Sequence, residues 1–212
     1  SVVTPVEARA ERLQTATITD ASGFATPMPA ATIEIPASWR AQGDVVWNHA
    51  TNCVNNKMRF EWRARSRDDL QGFEIMPGYS WQLAGTQIQM NPCPAQPFRS
   101  TRQFLEAVVQ QRRAGAQVLQ YRDRPDQAAA QTPLAGKQAN PQIHQRVEGG
   151  QILIAYNSGG VEFREVLGTV VNFTEFRGNV MGGASTVYAY RAPNGQLDFA
   201  EGERMAGSFK FD

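Results

Sequence analysis

Three features of the chain predict an α+β fold, an antiparallel sheet packed against one or more helices. Several segments alternate apolar and polar residues at the period of two expected of a half-buried strand. One segment, after Ser100, carries the helical period instead. Most joints between segments are short and rich in Gly, Pro and Asn, as in sheets built from hairpins. The 212 residues suffice for one ordinary domain. Apolar residues make up 42%, and 21 basic against 20 acidic residues leave a net charge of +1. That balance argues against a dedicated nucleic-acid binder, which carries a basic excess, and against wholesale disorder. The longest unbroken apolar run, Ile152–Tyr156, is too short for a transmembrane segment.

Residues 1–30 read as an N-terminal arm, with a short helix over Val6–Leu13 and a stop at Pro27-Met28-Pro29. Residues 31–212 read as a single α+β domain. Ala31–Ile35 is a strand closed by Pro36, and Asp44–Asn48 is a second short one. The clearest strand is Lys57–Arg65, where Met58, Phe60, Trp62 and Ala64 alternate with charged residues. Phe73–Met76 and Thr86–Met90 are shorter strands, separated by a loop at Pro77–Trp81.

Ser100 opens the helix. Its hydroxyl can cap the first turn, Gln103 completes a capping-box spacing, and Gly115 supplies a left-handed stop. Phe104, Leu105, Val108 and Val109 fall on its apolar face. Gln117–Arg122 returns to strand character. Residues 123–145 are rich in Gln, Ala and Pro and read as a flexible excursion with one helical turn at Asp126–Gln131. Gln151–Asn157, the turn at Ser158-Gly159-Gly160 and a long run over Val161–Phe176 give a hairpin. Ala184–Arg191 is another strand, and the tail 197–211 is a short helix and a final strand.

Cys53 and Cys93 both lie in turn-rich segments, and a disulfide between them is the expected state; free structural thiols and reactive chemistry are the alternatives. The bridge would close a loop of some forty residues, worth about 4 kcal/mol in the chain-entropy picture. It points to a periplasmic or extracellular location. The opening at Ser1, without a charged-then-apolar leader, fits a processed secretory chain as well as a trimmed one.

Catalytic signatures such as a nucleophile elbow, a phosphate loop or a His-Glu-x-x-His helix are missing, and no cofactor is expected. His49 and Cys53 have a workable ligand spacing, but a metal there would sacrifice the disulfide, so no metal is expected. Glu165 falls on the otherwise apolar face of Val161–Val171 and is the one candidate acid; an arginine partner or a bulge turning it outward are the structural alternatives. The binding candidates are more numerous. Arg59, Arg63 and Arg65, with Glu61 among them, share the wet face of one strand, where guanidinium groups can receive carboxylates or phosphates; cross-strand ion pairs are the alternative. Tyr79 and Trp81 lie in the Pro-Gly loop as aromatic anchors, unless they seal the end of a core. Six arginines in 99–124 face only Glu106 and Asp123.

Two fragments carry a resemblance. Ile33-Glu34-Ile35-Pro36-Ala37-Ser38-Trp39 resembles the strand-Pro-x-x-Trp opening of exported bacterial proteins with the PsbP-like fold, and Gly207-Ser208-Phe209-Lys210 is similar to the Ser-Phe ending of such domains. The match covers about a dozen residues. It implies a scaffold that docks to other proteins, without family-wide catalytic residues. A curved sheet of the nuclear-transport-factor type is the alternative, although its long helix normally precedes the sheet. Together these readings make the chain a non-enzymatic module that binds a protein or a cell-envelope component. The rival is a hydrolase or ligand-binding enzyme with a pocket on the concave sheet face, using Glu165 with an arginine such as Arg63.

Overall fold

A computed structural model describes residues 11–85, 92–135 and 142–211, without the side chains of 132–135 and 185. The described residues form a mostly antiparallel, sheet-dominated structure with three helices. Its strands are β1 (Leu13–Asp20), β2 (Met28–Pro36), β3 (Arg40–Trp47), β4 (Met58–Arg65), β5 (Gly72–Leu83), β6 (Ala95–Gln96), β7 (Gln117–Asp123), β8 (Ile143–Ser158), β9 (Val161–Phe176), β10 (Asn179–Pro193) and β11 (Lys210–Phe211). The helices are α1 (Thr101–Arg112), α2 (Pro125–Ala135) and α3 (Phe199–Ser208). The large sheet runs β3-β4-β5-β10-β9-β8-β7, with β6 on β5, and a small sheet runs β1-β2-β11.

Two cores lie on opposite sides of the large sheet. Period-two alternation sends Phe60, Trp62 and Ala64 of β4 toward the small sheet, where they meet Ile33 and Ile35 of β2 and Met205 of α3. On the other side Phe104, Leu105 and Val109 of α1 pack on Ile152 and Ile154 of β8 and Leu167 and Val171 of β9. The Ser100 hydroxyl accepts from the Gln103 N–H at 3.3 Å, and the Gln103 side chain accepts from the Arg99 N–H at 2.7 Å. Helix α1 therefore starts where the sequence places its start.

The segment expected to be an arm contributes β1 instead. Its inward residues, Ala16, Ile18 and Asp20, alternate with Thr15, Thr17 and Thr19, so threonine rather than apolar content carries the strand. Most of the expected Val6–Leu13 helix falls outside the described residues, and Leu13 itself begins β1. Pro29 does not stop the chain; it sits in β2 beside a register shift at Ile18/Thr19. The Thr86–Met90 strand also lies outside the described residues.

Pro77–Trp81 is no loop, because β5 is continuous through it. The outer edge of β5 is completed piecewise. β4 pairs with it from Trp62↔Ile75 to Arg65↔Gly72. The Asn56 amide then imitates a neighbouring strand: the Ser80 N–H donates to Asn56 Oδ1 at 2.7 Å, and Asn56 Nδ2 donates to the Ser80 carbonyl at 2.9 Å. Beyond it, Gln82 and Leu83 pair with β6.

Much of the expected excursion is ordered as well. Pro125 begins α2 where its missing N–H costs nothing, and the alanines that follow favour a helix. Gly149 lets α2 sit close on β8, since a side chain there would strike the Arg124 carbonyl and the Ala128 N–H. β8 accordingly starts at Ile143, well before Gln151.

Candidate functional site

The arginine stripe of β4 lies on the α1 side of the large sheet. Arg63 is opposite Glu74 of β5 in the ladder, and the Glu74 carboxylate accepts from Arg113 Nη2, just past α1, at 2.6 Å. Helix α1 lies along β8 and β9, so this part of the sheet is left open. The three candidate arginines have separate fates. Arg65 is mostly buried and held by Asp69 at 3.7 Å and Glu74 at 3.9 Å, which removes it as a binding group. Burial first, then the nearby Arg191 charge, holds its pKa below the ordinary arginine value. Arg63 is exposed, with its guanidinium against the Gln42 side-chain amide. Arg59 is half-buried and reaches the Asn56 carbonyl at 3.4 Å. Among the described residues no carboxylate lies within 4 Å of Arg59 or Arg63.

Arg59 borders a groove of about 370 Å³ between β5 and α1. Tyr79, Phe98, Phe104 and Val108 give it aromatic and aliphatic walls, and Arg112 also lines it. Phe104, Val108 and Arg112 recur every fourth residue, so they form one stripe along α1. A second depression of about 230 Å³, bordered by Arg63, Glu61 and Gln42, shares Met76, Pro77 and Arg112 with the first. The two are one trough, apolar at the Arg59 end and polar at the Arg63 end.

Tyr79 lines this groove, whereas Trp81 does not. Trp81 is 0% exposed, stacked on Phe104 at 5.0 Å and edge-on to Phe98 at 5.5 Å. Its indole N–H donates to the Phe98 carbonyl at 3.1 Å. It therefore sits behind the groove and fixes two of its walls. Gly182 makes room for it, because any side chain there would strike the indole ring. The expectation of Trp81 as an exposed anchor is corrected: continuous β5 turns it into the core.

Glu165 does face inward, 1% exposed, as the alternation required. It pairs with Arg113 rather than Arg63. Arg113 Nε donates to Glu165 Oε2 at 2.7 Å and Nη2 to Oε1 at 2.8 Å, a bidentate fork, while the same Nη2 also reaches Glu74. Burial alone would lower the Arg113 pKa, but the hydrogen bonds and charges of Glu165 and Glu74 hold it above the ordinary arginine value. None of the grooves described in this section is lined by Glu165.

The Cys53–Cys93 disulfide is present, with both cysteines buried. It joins the turn before β4 to the segment before β6, beside the Asn56–Ser80 clamp. Among the described residues no group of three His, Cys, Asp or Glu could hold a metal, and His49 stacks on Trp47 at 6.3 Å. No helix among them is long and apolar enough to cross a membrane. Across the large sheet from α1, a groove of about 500 Å³ lies between β9, β10 and Phe211, bordered by Met58, Met181 and Thr174, and among the described residues no charged side chain lines it.

Phe98 and Arg112 are among the groove residues that sequence reasoning did not single out. Phe98 lies in a proline-rich stretch without a local period, and Arg112 is one of six arginines in its region. Only the helical spacing from Phe104 could have marked Arg112. No family model matches the chain, and no curated protein matches it significantly.

Proposed function

We propose that the protein is a non-enzymatic binding module, exported to the periplasm or cell exterior, that docks a protein or envelope component in the trough between α1 and β4–β5. One observation carries this reading. Arg59 and Tyr79, from separate strands, meet Phe98, Phe104 and Arg112 around one open groove, and Arg63 extends it. Apolar walls with a cationic rim suit a partner that presents an apolar side chain beside carboxylates. The disulfide supports export, since such bridges persist in oxidising compartments. The position of Glu165 supports binding over acid catalysis, because its carboxylate is buried, occupied by the Arg113 fork and lines none of the grooves described above. The PsbP-like resemblance implies the same kind of role.

The test is site-specific photo-crosslinking in cells that export the protein. A photo-activatable residue at Gln111, in the groove, is expected to give discrete adducts that Arg59→Glu abolishes; one at Glu175, elsewhere on the sheet, is not. Equal adducts from both positions, or adducts indifferent to Arg59→Glu, would sink the proposal.

A further inference from the structure

The open face of β4 carries a charge pattern that the fold itself does not use. Arg59, Glu61 and Arg63 project from one face at every second residue, so their signs alternate in steps of about 6.6 Å, with the two arginines about 13 Å apart. Asp44 of β3 stands directly opposite Glu61 in the ladder, which places two acidic side chains side by side. Both are exposed, and among the described residues neither has a cation within 4 Å. A like-charge pair facing across a ladder is destabilising. Along β4 and β3 the spots therefore run positive, doubly negative and positive, next to an apolar groove at the Arg59 end, with Arg112 of α1 lining the same depression as Glu61 and Arg63.

Resting on the groove reading above, we infer that the occupant is an extended segment of a partner protein in which two carboxylate residues, four apart, flank a basic one. An aromatic or large aliphatic side chain two residues before the first carboxylate fills the pocket at Tyr79 and Phe98. An extended segment repeats its side chains on one face with the same period as β4, so the charges meet in register along its whole length. The carboxylates pair with Arg59 and Arg63, and the basic residue sits on Asp44 and Glu61. The acidic spot also sets specificity. A uniformly anionic polymer or a membrane of anionic lipid would bring negative charge onto Asp44 and Glu61, and that repulsion works against both.

The probe is a fluorescein-labelled peptide, Trp-Ser-Glu-Ser-Lys-Ser-Glu, titrated with the full chain and read by fluorescence anisotropy. Comparators are the permuted peptide Trp-Ser-Lys-Ser-Glu-Ser-Glu, the all-acidic peptide Trp-Ser-Glu-Ser-Glu-Ser-Glu, and phosphatidylglycerol vesicles. The patterned peptide is expected to bind at least tenfold more tightly than either other peptide, and Arg59→Glu or Arg63→Glu to remove that binding. Glu61→Lys is expected to reverse the preference toward the all-acidic peptide, and Asp44→Lys to do the same should the first variant fold poorly. Equal binding of all three peptides, lost with Arg59→Glu, would overturn the charge pattern and leave the groove reading intact. Vesicle binding at least as strong as peptide binding and lost with Arg59→Glu would overturn the peptide in favour of a lipid surface. No probe responding to Arg59→Glu would overturn both.

Discussion

Two arginines on the same side of the large sheet illustrate how neighbouring surroundings assign opposite roles to one residue type. Arg113 lies under the end of α1, forked onto Glu165 and bridged to Glu74, with only 16% of its side chain exposed. Arg59 lies on the uncovered part of the sheet, held by one backbone carbonyl and facing an open groove. The covered region is closed: Arg113, Glu165 and Glu74 neutralise one another beside α1. The open region is left with unspent charge and unfilled apolar volume. Burial of paired charges specifies structure, whereas exposed and unneutralised charge beside an apolar pocket is available to a partner.

The sharpest way to break this contrast is to remove Arg113. Arg113→Ala leaves Glu165 buried without its fork, and the expected loss is about 3–5 kcal/mol in a denaturant titration. Replacing both partners, as Arg113→Met with Glu165→Leu, is expected to recover most of it, because the uncompensated charge and not the missing contact dominates the cost. If the single variant melts like the parent, the pair is not a structural element and Glu165 returns as a candidate acid. Replacing Cys53 and Cys93 together by Ala is expected to cost about 4 kcal/mol, the loop-closure value for a bridge spanning forty residues. Mass spectrometry of the native, unreduced chain should show no alkylatable thiol, and two alkylated cysteines would refute the bridge.

Much of the framework was legible in the chain. The alternation over Lys57–Arg65 returns as β4, and the Ser100 cap and Phe104–Val109 spacing return as α1, because each is a local pattern with a strong period. The Cys53–Cys93 pairing was legible from the lack of other thiols. The arm that became β1 was missed because its period rests on threonines, and β5 was cut short because Pro77-Gly78 reads as a turn. In the fold that dipeptide falls where the outer edge of β5 changes partners, between the last β4 pair at Ile75 and the Asn56 clamp at Ser80. The groove was legible only in pieces. Arg59 and Tyr79 could be named singly, but their meeting with Phe98 and Arg112 depends on strand order and on where α1 ends, which no local window contains.

Two neighbouring leucine-like positions on α1 sharpen the boundary between the regions. Leu105 is fully buried under the helix, and Leu105→Ala is expected to cost about 2–5 kcal/mol. Val108, half-buried at the groove wall, is expected to lose about 1 kcal/mol or less as Val108→Ala, since little of its surface leaves water. Equal losses in thermal or chemical melts would mean that the groove wall is packed as tightly as the core and has no room for a guest.

The smallest expected effect is the most diagnostic of the open region. Asp44→Asn relieves the like-charge pair with Glu61, and stability should rise by a few tenths of a kcal/mol, in line with measured cross-strand charge pairs. Both side chains are exposed, so the gain should shrink as salt is raised from 0.01 to 1 M and the screening length falls from about 30 to 3 Å. The same variant should weaken the patterned peptide, because it removes half of the site for the basic residue. Stability and binding then move in opposite directions on one substitution. A purely structural surface charge gives no such split: its removal would change stability and leave the peptide untouched. If Asp44→Asn lowers stability, the acidic pair is serving the fold after all, and the open face loses its strongest mark of function.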